Sequence, residues 1–168
     1  SSAGLGSLWL SIGIACAVAA LTTGVAALAA RAICLHEWRG RRLFEFACML
    51  PFLIPSTVFA MGVQVAFIRL GLARSVGGVI LAHCIVALPY AIGIMCDVTR
   101  AAGRRMEEAA QLCGAGRLST LVHATLPGLA PGIASSLLMC YIMSFSQYFL
   151  TLLIGGGAVR TFALVLFP

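Results

Sequence analysis

The chain has 168 residues, 61% of them hydrophobic and only 10% charged, with a mean hydropathy of +1.06. A soluble domain carries about 25% charged residues, so the composition excludes an ordinary water-soluble globule and predicts a chain solvated mostly by lipid. The net charge of +6 rests on eleven arginines and no lysine; these lie between apolar runs, where membrane proteins keep their topology signals, and are not interleaved with exposed aromatics, which argues against nucleic acid as a partner.

The first apolar run, about residues 8–30, predicts a membrane span rich in Ala and Gly, with Gly13 and Gly24 as small packing positions. A basic segment follows at 31–42, holding Arg31, Arg39, Arg41 and Arg42. The second span covers about 43–70. Pro51 and Pro55 within it remove backbone donors and kink or break the helix, which in lipid requires protein or a water-filled cavity alongside. The third span runs over 76–98 with Pro89 and His83 inside it. A lone intramembrane His is read as hydrogen-bonded within the bundle, since no second titratable group lies within a turn or two. The fourth span is expected at 128–154 and a fifth begins near 160. The chain starts Ser1-Ser2-Ala3 and ends eight residues after Arg160. A span needs ~20 residues, so both ends are expected to be cut from a longer protein. The seven cysteines form no C-x-x-C pair; they read as small apolar residues, with no metal site.

The segments 31–42 and 99–127 hold eight of the eleven arginines and share one side of the membrane if the spans are right. The positive-inside rule then places both in the cytoplasm.

The 99–127 segment carries the function. Glu107 and Glu108 sit near the start of a helical stretch, where negative charge suits the helix dipole. Met106, Ala109, Ala110 and Cys113 recur at three- and four-residue spacing and form one apolar face. Gly114 and Gly116 break that helix, a second short helix follows through Leu118, Leu121 and Val122, and Pro127 is expected to end it. A loop of this length with its own helices is usually functional.

Glu108-Ala109-Ala110, then Gly114 after three residues, then Leu126-Pro127 after a further eleven, resembles the EAA loop of ABC importer permeases. Ala124 departs from the branched aliphatic usual two places before the Leu-Pro. Gly128-Leu129-Ala130-Pro131-Gly132, the proline-rich second span and Ser144-Phe145-Ser146-Gln147-Tyr148 also look like the family, the last closest to permeases of iron, thiamine, polyamine and phosphonate importers. The resemblance implies an all-α polytopic membrane bundle of the type I ABC importer permease fold. It implies a multi-pass protein of the bacterial inner (plasma) membrane. The loop is then a coupling helix docked on a cytoplasmic ATPase subunit. Its contact residues are Glu107, Glu108, Ala109, Ala110, Gly114, Ala115, Arg117 and Leu118, with Leu126 and Pro127 closing the motif. The other implied partners are a second permease subunit or half, identical or different, and a periplasmic or extracellular substrate-binding protein. No catalytic residue and no cofactor is expected in this chain. It lacks a G-x-x-x-x-G-K-[ST] phosphate loop, so ATP and Mg are expected on the partner.

Gln64, Ser144, Ser146, Gln147 and Tyr148 are candidates to line a solute pathway, because uncharged polar groups in lipid face other helices or a cavity. Their alternative role is interhelical hydrogen bonding, worth about 0.6 kcal/mol each. An ion-driven secondary transporter is an alternative, but it would want acids at the membrane midplane, and Glu45 and Asp97 are peripheral. An intramembrane enzyme using His83 or His123 is another, but it would need a second catalytic group at the same depth.

Overall fold

In a computed structural model, which describes residues 2–147 and 149–166 (the side chains of 3, 52 and 56 apart), every element of regular structure is a helix. The first run gives α1, Ser2–Leu35, longer at both ends than the apolar stretch itself. The basic segment turns into α2, Arg41–Leu53, and α3 follows at Ser56–Arg69. The third span is α4, Val76–Ala102, continuous through the buried Pro89. Its first turn is capped by Ser75, whose hydroxyl accepts from the Gly78 amide at 3.0 Å and donates to the Leu72 carbonyl at 2.7 Å, satisfying an otherwise orphaned helix-end donor.

Three helical segments, 4–35, 76–102 and 117–146, are long and apolar enough to cross a membrane. They pack against one another as the centre of the bundle. The buried face of α1 is Ala15, Ala19, Ala26, Ala30 and Ile33, spaced in threes and fours as one helical stripe. Small side chains let the backbones approach closely. Alanine does this in α1, whereas Gly13 and Gly24 lie on the exposed side with open space around them. The glycine that brings helices together is Gly132, where an added Cβ would stand 2.6 Å from Val98 Cγ2. The core has two parts. One joins Ala26, Ile33, Ala91, Met95 and Cys140 toward the basic segments. The other joins Val18, Phe67, Val79, Leu150 and Ile154 toward the opposite end.

Two expected spans are interrupted. The second is split at Ile54, which is extended (ψ 131), and Pro55, which stands at the N-cap of α3. Pro55 has no N–H to continue the ladder and forces its predecessor out of the helical region. At 13 and 14 residues, α2 and α3 each reach only ~20 Å at 1.5 Å per residue, short of the ~30 Å hydrocarbon layer. The fourth, expected as one helix over 128–154, is α7, Leu126–Ser146, and α8, Phe149–Gly155, separated at the extended Gln147. A last short helix, α9, spans Phe162–Leu166.

The 99–127 segment also differs from expectation. After Gly103, at φ 61, comes α5, Arg105–Leu112; after Gly114, at φ 86, comes α6, Arg117–Thr120. Those two left-handed positions suit glycine alone. Pro127 does not end the second helix. Residues 121–125 widen into a π-helical turn in which the Leu126 amide reaches back to the Leu121 carbonyl, and the helix runs on into α7. The wider turn accommodates a proline that can neither donate a bond nor tolerate a close carbonyl behind it. The second loop helix and the membrane-length helix are thus one rod from Arg117 to Ser146.

Candidate functional site

Helix α5 contains no buried residue. Leu112 is 89% exposed, Leu118 74% and Met106 61%, and Glu108, Ala109, Cys113 and Arg117 are also exposed. Ala110 and Ala115 are half-buried. A monomer rarely leaves such a cluster of apolar side chains uncovered outside its lipid-facing helices. Of the apolar face read from the sequence, Met106, Ala109 and Cys113 are exposed and Ala110 is half-buried, while Leu112 lies outside that face.

What holds α5 is polar. Glu107 turns inward and accepts a two-pronged hydrogen bond from the Arg31 guanidinium on α1, at 2.6 and 3.2 Å. The Thr125 hydroxyl, in the π-helical turn, donates to the same carboxylate at 2.8 Å. Arg104 donates to the Leu35 carbonyl at 2.6 Å, satisfying the C-terminus of α1. The Arg31 hydrogen bonds hold the Glu107 carboxyl below its ordinary pKa of 4.5; partial burial opposes this and the Thr125 bond adds to it. Behind α5 lies a cavity of about 500 Å³, lined in part by Val98, Thr99, Met106, Ala124 and Leu129. So α5 is strapped across a gap instead of packed into the core. Nearby, Glu45 pairs with Arg41 at 3.2 Å and Arg100 at 3.9 Å, tying α2 to the end of α4. These contacts bring the 31–42 and 99–127 segments to one end of the molecule.

The five candidate pathway residues do not form one site. The Gln64 amide donates to the Leu153 carbonyl at 3.1 Å, linking α3 to α8. Ser146 is exposed and donates to the Met143 carbonyl of its own helix. Tyr148 lies outside the described residues. Ser144 and Gln147 belong to a buried network centred on His83, which bonds Ser144 through Nδ1 at 2.8 Å and Thr151 through Nε2 at 3.0 Å. The Thr151 hydroxyl spends its proton on the Gln147 carbonyl at 2.6 Å. It must therefore accept from Nε2–H, so Nε2 carries a proton in this network. His83 thus fastens the two halves of the interrupted fourth span, which explains how a helix breaks there without proline. Gln147 also borders a cavity of about 150 Å³ with Pro51, Phe59 and Phe149, where both helix breaks meet. His123 is at the other end, accepted by its own helix at the Ser119 carbonyl.

Sequence reasoning missed Arg31, Thr125 and Thr151. Arg31 was legible only as a topology charge. Thr125 and Thr151 carry no signal of their own, because their partners are 18 and 68 residues away. Among the described residues no cluster of His, Cys, Asp or Glu is placed to hold a metal ion.

A helical bundle with three helices long and apolar enough to cross a membrane, and with exposed apolar side chains on the loop helices outside it, describes a membrane-embedded protein. Residues 22–166 match the family described as the binding-protein-dependent transport system inner membrane component, and the chain belongs to it. It is a transport permease family, not a family of enzymes. Among its relatives, a Streptomyces antibioticus protein named as an ABC transporter permease, ORF1, is 30% identical over 86% of this chain and 63% of its own length. The molybdenum transport system permease protein ModB of Mycobacterium tuberculosis is 31% identical over 81% of this chain and 58% of its own. The fold matches a solved bacterial ABC transporter involved in import of the acidic polysaccharide alginate, with a TM-score of 0.72 and 21% identity, over 95% of this chain and 57% of that one. The chain thus spans about three-fifths of the length of the relatives it matches.

Proposed function

We propose that this chain forms part of the membrane permease of an ABC importer and that α5 and α6 dock on a separate ATPase subunit. The observation that carries this is the exposure of Met106 and Leu112 on α5, a helix with no buried residue, and of Leu118 on α6, at the position of the EAA signature. On this reading Glu108 and Arg117 make polar contacts with the ATPase. Ala109 and Ala110 let the helix enter a confined groove, and Gly114 and Ala115 shape the bend between the two helices. Leu126 and Pro127 join the docked element to the span. The basic end faces the cytoplasm of a bacterial cell, because eight of the eleven arginines gather there. ATP and Mg belong to the ATPase, a second permease subunit or half covers the exposed side of the bundle, and a substrate-binding protein delivers solute at the opposite end.

The solute would pass near Gln147, where the two interrupted spans share a cavity. Gln64, Ser144 and Ser146 then act chiefly as bundle hydrogen-bonding groups, as their bonds suggest. Relatives are named for molybdenum transport and for alginate import, so membership of the family does not select a solute for this chain. The test is co-purification of the ATPase subunit with the permease, followed by Glu108→Lys and Gly114→Asp. Both variants are expected to insert normally and to lose ATP-driven uptake. Normal uptake in both would remove the coupling role from the loop.

A further inference from the structure

We infer that Glu107 is not an ATPase contact but the positioning residue that joins the docking helix to the membrane helices, through Arg31 on α1 and Thr125 on the Arg117–Ser146 rod. The inference rests on the proposed docking of α5. It separates two adjacent acids that the sequence alone assigns the same role. Residues 107 and 108 differ by about 100° around a helix, and here that rotation sends one acid outward and the other inward. Glu108 is exposed, whereas the Glu107 side chain is 17% exposed and holds three hydrogen bonds.

The mechanical consequence follows from what else touches α5. No residue of α5 is fully buried, and a cavity of about 500 Å³ lined by residues of α4, α5 and α7 lies beside it. It is joined to α4 through Gly103, at φ 61, and to α6 through Gly114, at φ 86, and each connection thus contains a residue with no side chain to stiffen it. A pull on α5 would be absorbed by those glycines unless something tied the helix elsewhere. The bidentate Arg31 bond is such a tie, because a planar guanidinium fixes orientation as well as distance. Arg104 on the Leu35 carbonyl adds a second bond to the same end of α1. The Thr125 bond lands on the π-helical turn, the one place in the 117–146 rod where the backbone is already widened. Movement of a docked α5 is therefore delivered to α1 and to the rod together.

The test uses the complex of permease and ATPase with native cysteines replaced and spin labels at positions 32 and 111, which are exposed on α1 and α5. In the wild-type complex the α1–α5 distance is expected to be single and unchanged between the nucleotide-free and the ATP–vanadate-trapped states. In Glu107→Gln the ATPase should still co-purify, while the distance distribution broadens and shifts on trapping. Thr125→Val should give a smaller change, and the exchange Arg31→Glu with Glu107→Arg should restore the narrow distance. An unchanged narrow distance in Glu107→Gln overturns the inference, as does loss of the ATPase from that variant, which would make Glu107 a direct contact. If the wild-type permease retains no ATPase, the proposed docking fails instead. The distance in the isolated permease then still decides whether Glu107 fixes α5, because a broad wild-type distribution would refute it.

Discussion

At the end that carries Phe67, Val79 and Ile154, the helices close on buried apolar side chains, supported by bonds from Gln64 to the Leu153 carbonyl and from the Arg74 amide to the Ile154 carbonyl. At the basic end no residue of α5 is fully buried, and the helix is held by Glu107, Arg31, Thr125 and Arg104. The difference is one of stiffness. A close-packed core has few nearby alternatives, whereas an element held by a handful of polar bonds can open or shift as a unit without disturbing that core. The docking proposed for α5 would use the second arrangement.

The comparison breaks first at the packed end. Ile154 is fully buried, so Ile154→Ala should cost about 2–5 kcal/mol and appear as a large fall in the thermal midpoint of the detergent-solubilised protein. In the core nearer the basic end, Gly132→Ala, which drives a Cβ to 2.6 Å from Val98, itself packed against Ile33, Met95 and their neighbours, should cost about 1–3 kcal/mol by overpacking. Gly128→Ala, with its nearest neighbour at 3.8 Å, should leave the midpoint unchanged. At the tethered end the effects are local and depend on pH. The folded-state pKa of Glu107 is lowered, so its tether is fully present above the ordinary value of 4.5 and is lost as pH falls through the folded value. Protease nicking between residues 103 and 116 should rise on acidification below that ordinary value in the wild type, and Glu107→Gln should be nicked at neutral pH already. The smallest effect on stability is expected at Leu112, which is 89% exposed. Leu112→Ser should stay within about 0.5 kcal/mol of wild type while reducing the ATPase recovered with the permease. A stability loss there as large as at Ile154 would erase the distinction between the two ends.

Much of this was legible in the sequence. Long apolar runs give membrane helices because lipid leaves backbone groups no other partner, and Pro55 announced the break in the second span. The break at Gln147 was not legible. It is maintained by His83, Ser144 and Thr151 across three helices, and bonds that close over more than sixty residues leave no local pattern. Pro127 misled in the opposite sense, since a π-helical turn absorbs it and the helix continues. In the loop, helical spacing gave a short amphipathic helix, but Leu112, 89% exposed, lies outside the face of Met106, Ala109, Ala110 and Cys113. The spacing that puts Glu107 and Glu108 on different faces was equally available, but only the position of Arg31 shows which acid turns inward.

The central claim is that the 105–120 element is a docking surface for an ATPase. The most direct measurement is cysteine crosslinking from position 115, at the bend between α5 and α6, to the ATPase subunit, with and without ATP. The account predicts a crosslink whose yield changes with ATP. Absence of any crosslink from every position between Glu107 and Leu121, in a complex that still transports, would contradict it.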